Sequence, residues 1–259
     1  MTTSAGIGVL PPIRARQARR TQNMRLATAL PMARSVLAVV ARPGDESWYL
    51  GAILDAFHAQ GSRLSVLSFT RGERSGFNDS LHRLESIRPW EFEAAAFALG
   101  ADHCTIADYP DKALSRFPIE RLTEHVTREI RERNVDLLLT VDGRLTERIA
   151  PHAAVRAGRE CGVPVLAWTL PHGVAQAVRR VAGLAVTGDP DHRIDLEVPV
   201  RRQRQWQATG EHHSQAAGDS VQRARLAVQG DREWLRWLVP PDIRTMPAFG
   251  APTSQEAPS

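Results

Sequence analysis

The sequence predicts an α/β protein with a Rossmann-like, mainly parallel sheet and helices on both faces. Short apolar runs alternate with longer segments of helical periodicity, and this alternation is typical of β-α-β units. The apolar runs are nearly continuous, as expected for strands that are buried on both faces. At 259 residues the chain is long enough for one such domain. The predicted strands are residues 36–41, 64–69, 103–107, 135–141 and 163–168.

The segments between these strands carry helix signals. One helix is predicted from Leu81 to Leu99, where Gly100 ends it, and another is opened by Pro118 and runs to Asn134. The last third of the chain is less regular. There we expect an outer antiparallel strand over residues 193–200 and mostly helix over residues 201–229.

Charge is unevenly distributed along the chain. Residues 1–34 contain six arginines and no acid, although the whole chain has a net charge of only +4. A basic segment without apolar periodicity predicts a solvated, disordered tail, and nucleic acid is not the expected partner. Residues 241–259 are expected to be a second disordered tail, which leaves residues 35–240 as the domain.

The remaining composition excludes some classes of protein. No apolar run is long enough to cross a membrane. The two cysteines, Cys104 and Cys161, lie in apolar contexts, and this favours a reducing, cytoplasmic location without disulfides. The composition does not predict an oligomeric state.

The first predicted strand leads directly into a candidate site. It ends at Pro43-Gly44, and two acids, Asp45 and Glu46, stand where the next helix begins. In open α/β sheets, ligands bind at the carboxyl ends of strands. We therefore expect a site at this turn.

The turn also carries a family resemblance. Ala41-Arg42-Pro43-Gly44-Asp45-Glu46 resembles the Ala-His-Pro-Asp-Asp-Glu signature of the PIG-L/LmbE family of zinc-dependent N-acetylglucosamine deacetylases. Further matches follow in order across residues 35–240. They are the loop with Glu73, Arg88-Pro-Trp-Glu91, Tyr109-Pro-Asp111, Ile149-Ala150-Pro151-His152 and Glu211-His-His-Ser-Gln215. The resemblance implies a Rossmann-like fold, zinc, and hydrolysis of the N-acyl amide of an amino sugar or a related small molecule.

Two decisive positions depart from the family pattern. The resemblance places the three zinc ligands at Arg42, Asp45 and His152, and the general base at Gly44. A guanidinium offers no lone pair to a metal, and glycine accepts no proton. Amide hydrolysis of this kind needs both groups. A weak or inactive deacetylase is therefore the expectation, with substrate positions implied at Arg88, Asp111 and His212.

Several alternatives stay open at the level of sequence. Glu46 or Glu73 is a possible substitute base, and the Arg42 side chain either pairs with Asp45 or extends into solvent. The protein is either a degenerate hydrolase or a non-catalytic protein that binds a sugar-like ligand or a partner. Gly188-Asp-Pro-Asp-His192 also groups two acids with a histidine. We interpret that segment as a surface turn.

Overall fold

A computed structural model describes residues 26–74, 81–145, 147–183 and 186–242. Its centre is a seven-stranded sheet in the order β3-β2-β1-β4-β5-β7-β6. Strands β1 to β5 are parallel, and β7 runs antiparallel to both β5 and β6. The predicted fold class is confirmed. The strands are β1 (Ser35–Val40), β2 (Arg63–Thr70), β3 (His103–Tyr109), β4 (Leu137–Val141), β5 (Val165–Thr169), β6 (Leu196–Pro199) and β7 (Arg232–Val239).

Strand β1 is the central strand, and its residues are buried on both faces. Val36 lies opposite Leu64 of β2 on one side and opposite Leu137 of β4 on the other. Side chains alternate across the sheet, so Val36 and Leu37 enter two separate apolar clusters. This two-sided burial is the reason why the sequence of β1 is a continuous apolar run.

Helices cover both faces of the sheet. The helices predicted over residues 81–99 and 118–134 are confirmed as α3 and α4. Helix α4 ends at Asn134, which adopts the left-handed conformation with a φ of 49°. The helices are α1 (Asp45–Trp48), α2 (Gly51–Ala59), α3 (Leu81–Ala98), α4 (Ile119–Arg133), α5 (Ile149–Cys161), α6 (His172–Ala182), α7 (Gln203–Glu211) and α8 (Asp219–Gln229).

The C-terminal third adds strands β6 and β7 to the sheet and contacts the segment that contains α1. The predicted outer strand is confirmed as β6, and β7 inserts between it and β5. The Arg225 guanidinium of α8 lies over the rings of Tyr49 and Trp168 at 4.8 and 5.1 Å, and it donates to the Trp48 carbonyl at 2.6 Å. Trp168 is fully buried in the core, whereas Trp206 is 36% exposed.

The boundary of the N-terminal tail also needs correction. Ala27 forms a backbone bridge with Leu196, and Leu30 is buried in the main apolar cluster. Residues 26–34 therefore contact the domain through the Ala27 backbone and the buried Leu30 side chain, whereas Leu26 and Met32 remain exposed. The expectation for residues 1–25 and 243–259 falls outside the described residues. No helix in the described ranges is long and apolar enough to cross a membrane.

Candidate functional site

A tight turn after β1 builds the centre of the site. Gly44 has a φ of 101°, a conformation that other residues rarely adopt. The Asp45 N–H donates to the Arg42 carbonyl at 3.3 Å, and the Gly44 N–H donates to Oε2 of Glu46 at 2.8 Å. The turn lies beside the β1–β4 pair, where the strand order reverses. This switch point is the usual ligand position in open α/β sheets.

Arg42 pairs with Asp45 instead of extending into solvent. The Arg42 Nε atom lies 3.7 Å from Oδ1 of Asp45, and the Asp45 side chain is only 7% exposed. Burial raises the pKa of Asp45 to about 7, although the Arg42 charge opposes that rise. The second carboxylate oxygen of Asp45 is buried and has no hydrogen-bond partner in the described part of the chain.

Helix α3 and the loops after β2 and β3 add three charged groups. Arg88 is completely buried and donates through Nη1 to the Gly72 carbonyl. Its Nε and Nη2 atoms have no partner among the described residues, and burial lowers its pKa. The Asp111 N–H donates to Oε1 of Glu73 at 2.8 Å, whereas Oε2 of Glu73 is buried without a hydrogen bond. The structure therefore brings Arg88, Glu73 and Asp111 to the same edge of the sheet.

Glu46 and His212 form a buried pair behind this edge. His212 Nε2 lies 2.8 Å from Oε1 of Glu46, which also accepts the Ser47 hydroxyl at 2.8 Å. Burial lowers the pKa of His212, but the Glu46 charge and hydrogen bond outweigh it, so the net shift is upward. Both Glu46 oxygens therefore accept hydrogen bonds. Of the two candidate bases, only Glu73 has a carboxylate oxygen without a hydrogen bond among the described residues.

The position of the family's general base is occupied by a neighbouring side chain. A Cβ atom added at Gly44 would lie 2.9 Å from Oε1 of Gln215. The Gln215 amide donates to the Pro43 carbonyl at 3.2 Å, which fixes it over the turn. The sequence matched Gln215 to the family, but it gave no sign of this contact, which only the tertiary structure creates.

His152 is exposed in the first turn of α5 and lines a cavity with Asp142 and Arg144. Glu147, from the loop after β4, is the acid that joins the site. Burial raises its pKa, and the charges of Arg42 and Asp111 act on it. Sequence reasoning missed Glu147, although its place after β4 was a usable signal.

The residues present do not fit a zinc ion. Arg42 supplies a positive charge where the resemblance implies a ligand, and it is paired with Asp45. Across the described ranges there is no group of three or more His, Cys, Asp or Glu residues able to hold a metal. A catalytic zinc normally has three protein ligands.

The segment predicted as a surface turn contains a buried acid. Asp189 is fully buried, accepts the Thr169 hydroxyl at 2.7 Å and pairs with Arg144. The surface prediction is therefore wrong for Asp189, because two arginines from other elements stabilise its charge at the end of β5. Asp191 and His192 are exposed.

Comparison with known proteins gives one family match. Residues 37–159 match the PIG-L family model, described as GlcNAc-PI de-N-acetylase. This region contains the turn after β1, Arg88, Asp111 and His152. This match supports the predicted family.

Solved structures show the same fold at low sequence identity. An N,N'-diacetylchitobiose deacetylase from Pyrococcus horikoshii is 16% identical, with a TM-score of 0.64 over 90% of this chain and 95% of that chain. The A40926 pseudoaglycone deacetylase Dbv21 is 21% identical, with a TM-score of 0.58 over 79% and 96%. The 4-carboxy-2-hydroxymuconate hydratase GalB from Pseudomonas putida is 16% identical, with a TM-score of 0.59 over 80% and 97%. At these identities the likeness establishes the fold alone.

Proposed function

Because residues 37–159 of this chain match the PIG-L family model, we propose that it is an N-deacetylase-type protein that binds an N-acyl amino sugar or a related small molecule. We further propose that its hydrolytic activity is weak or absent. One observation carries the proposal. Four of the six buried polar side-chain atoms that lack a hydrogen bond in the described ranges belong to this edge of the sheet: Asp45 Oδ2, Glu73 Oε2, and Nε and Nη2 of Arg88.

Unpaired buried polar atoms are costly, at about 1–3 kcal/mol each, and they are rare in folded proteins. Here the unpaired set combines two carboxylate acceptors with two guanidinium donors. A sugar hydroxyl both donates and accepts, and an amide carbonyl accepts, so an N-acyl amino sugar supplies partners for both kinds of atom. Two of the structurally similar proteins are deacetylases, which agrees with this class of ligand. The hydratase on the same fold is the reason why the fold does not fix the reaction.

The proposal of weak hydrolysis rests on the replaced groups. Gly44 has no proton acceptor, and loss of a general base typically costs about 10²–10⁴-fold in rate. The Arg42–Asp45 pair supplies a fixed positive charge in place of a metal ligand. Residual hydrolysis would depend on Glu73, whose Oε2 atom is free to accept a proton. The alternative is a purely non-catalytic binding protein on the same fold.

Binding is tested by calorimetry with N-acetylglucosamine and N,N'-diacetylchitobiose on chelator-treated protein. We expect binding without added metal. Arg88→Met should abolish binding, because it removes the two unpaired buried donors. It also removes the hydrogen bond to the Gly72 carbonyl, so circular dichroism and urea unfolding must verify that the variant is folded. Arg63→Met is the matched control, since Arg63 is exposed at the opposite end of β2. Absence of binding by the unmodified protein to either sugar would exclude this ligand class.

Hydrolysis is tested separately, by acetate release and by metal analysis of the purified protein. We expect well under one zinc per chain, and acetate release no faster than that of the Arg88→Met variant. Stoichiometric zinc together with acetate release would show an active hydrolase. That outcome would overturn the proposed loss of activity and leave the proposed ligand class intact.

A further inference from the structure

A second cavity, distinct from the turn after β1, lies between α5 and β7. It has a volume of about 490 Å³, and five arginines contribute to its wall. Asp142 is its only acidic lining residue, and Pro151, Val155 and Leu238 form an apolar part of the wall. The arginines are Arg144, Arg148, Arg159, Arg193 and Arg236. His152 also lines the cavity, whereas Arg42, Asp45 and Arg88 do not.

Two of these arginines are held in place by buried carboxylates. Arg144 donates from Nε and Nη2 to Asp142 at 3.1 and 2.9 Å, and Nη2 also donates to Asp189. Arg236 donates from Nε to Asp142 at 2.6 Å. Although burial acts in the opposite direction, the hydrogen bonds of Arg144 and the charge of Arg236 keep the pKa of Asp142 below its usual value. The Asp142 carboxylate therefore stays charged, and the hydrogen bonds to Asp142 and Asp189 fix the two guanidinium groups.

Fixing these guanidinium groups leaves some of their donors unused. In Arg236, the Nη1 and Nη2 atoms form no hydrogen bond to any described residue. In Arg144, the same holds for Nη1. Both side chains are partly exposed, at 22% and 28%, so their remaining donors reach the cavity. A guanidinium fork held rigid by carboxylates loses little entropy when it binds an anion.

Three further arginines border the same space without a carboxylate partner in the described ranges. Arg148 and Arg159 lie on the exposed side of α5, and Arg193 approaches from the short helical turn before β6. Like charges that converge on one concavity raise its positive potential and concentrate anions there. Packing of the apolar core does not require these arginines to surround one cavity.

We propose that this cavity binds the phosphate group of a phosphorylated small molecule. A phosphate dianion offers three terminal oxygens, which match several guanidinium forks at once, whereas a carboxylate offers two oxygens and one charge. The volume lies within the usual range of small-molecule pockets, about 300–1,000 Å³, so there is room for an organic group next to the phosphate. The apolar wall gives that group a surface to contact. The proposal does not rest on the proposed N-deacetylase function, although His152 is among the residues that line the cavity.

The test measures saturable binding of inorganic pyrophosphate and inorganic phosphate by calorimetry, at constant ionic strength set with chloride. The informative variant is Arg148→Gln/Arg193→Gln, because both side chains are exposed and support no ion pair in the described structure. The matched control is Arg63→Gln/Arg180→Gln, which removes the same charge from exposed positions outside the cavity. Circular dichroism and melting temperature verify the fold of each variant.

We expect pyrophosphate to bind the unmodified protein saturably and more tightly than phosphate. The cavity variant should bind it at least tenfold more weakly, which corresponds to about 1.4 kcal/mol, and the control should stay within twofold. Equal weakening in both variants would mean a diffuse charge effect and would overturn the proposal. It would also be overturned by the absence of saturable pyrophosphate binding, or by citrate binding as tightly as pyrophosphate, since citrate would indicate a carboxylate site.

Discussion

Replacing Asp45 with asparagine is expected to stabilise this protein at pH 8 and to leave its stability nearly unchanged near pH 4. Asp45 is buried, and its nearest cation, Arg42, is 3.7 Å away and partly exposed. Burial therefore raises the pKa of Asp45 from 3.8 to about 7. In the folded protein the carboxyl is charged at pH 8 in an environment that favours its neutral form.

The direction in which stability changes with pH follows from proton linkage. Between pH 4 and pH 7 the folded state holds the Asp45 proton and the unfolded state releases it, so stability falls as pH rises through this window and then levels off. A rise of the pKa from 3.8 to about 7 sets an upper limit of about 4 kcal/mol, since one pKa unit corresponds to about 1.4 kcal/mol. Asparagine is neutral at every pH but loses the attraction to Arg42. We therefore expect a gain of about 2 kcal/mol at pH 8.

The assay is urea unfolding of both proteins at pH 4.5, 6 and 8, with and without a chelator. Asp142→Asn is the control of opposite sign, because Asp142 has a lowered pKa and stabilises the folded protein when charged. It should destabilise the protein at pH 8. A stability difference for Asp45→Asn that does not change with pH, or a loss of stability at pH 8, would refute the reasoning. A loss at pH 8 that is abolished by the chelator would show that Asp45 binds a metal.

Further predictions concern the turn and the N-terminus. Gly44→Asp should cost about 1–3 kcal/mol of stability, because aspartate is strained at a φ of 101° and Gln215 must move. Arg42→His with Gly44→Asp should therefore restore zinc binding, read by metal analysis, only when Gln215 is also shortened to alanine; full zinc uptake by the double variant would contradict this. Deleting residues 1–25 should leave the melting temperature unchanged. Leu30→Ala should lower the free energy of unfolding by about 2–3 kcal/mol, because Leu30 is only 6% exposed; an unchanged value would mean that Leu30 does not pack.

Much of the fold was predictable from local patterns. The continuous apolar run of β1 predicted a central parallel strand, and Gly100 and Pro118 marked helix boundaries close to those observed. These features depend on burial and backbone geometry, which adjacent residues largely determine. The boundary of the N-terminal tail was wrong because Ala27 pairs with Leu196 of β6, more than 160 residues away in the chain.

The candidate site, like the fold, was predictable from the sequence only in part. Arg42 and Gly44 in the signature turn were enough to predict lost ligand and base chemistry, since residue type alone decides whether a group can bind a metal or accept a proton. The sequence did not determine which charged and polar side chains contact one another. The occupation of the base position by Gln215, the engagement of Glu46 by His212, and the burial of Asp189 all join residues distant in the chain. Electrostatic energy depends on distance and burial in three dimensions, so only the tertiary structure determined these pairs and the arginine-lined cavity they support.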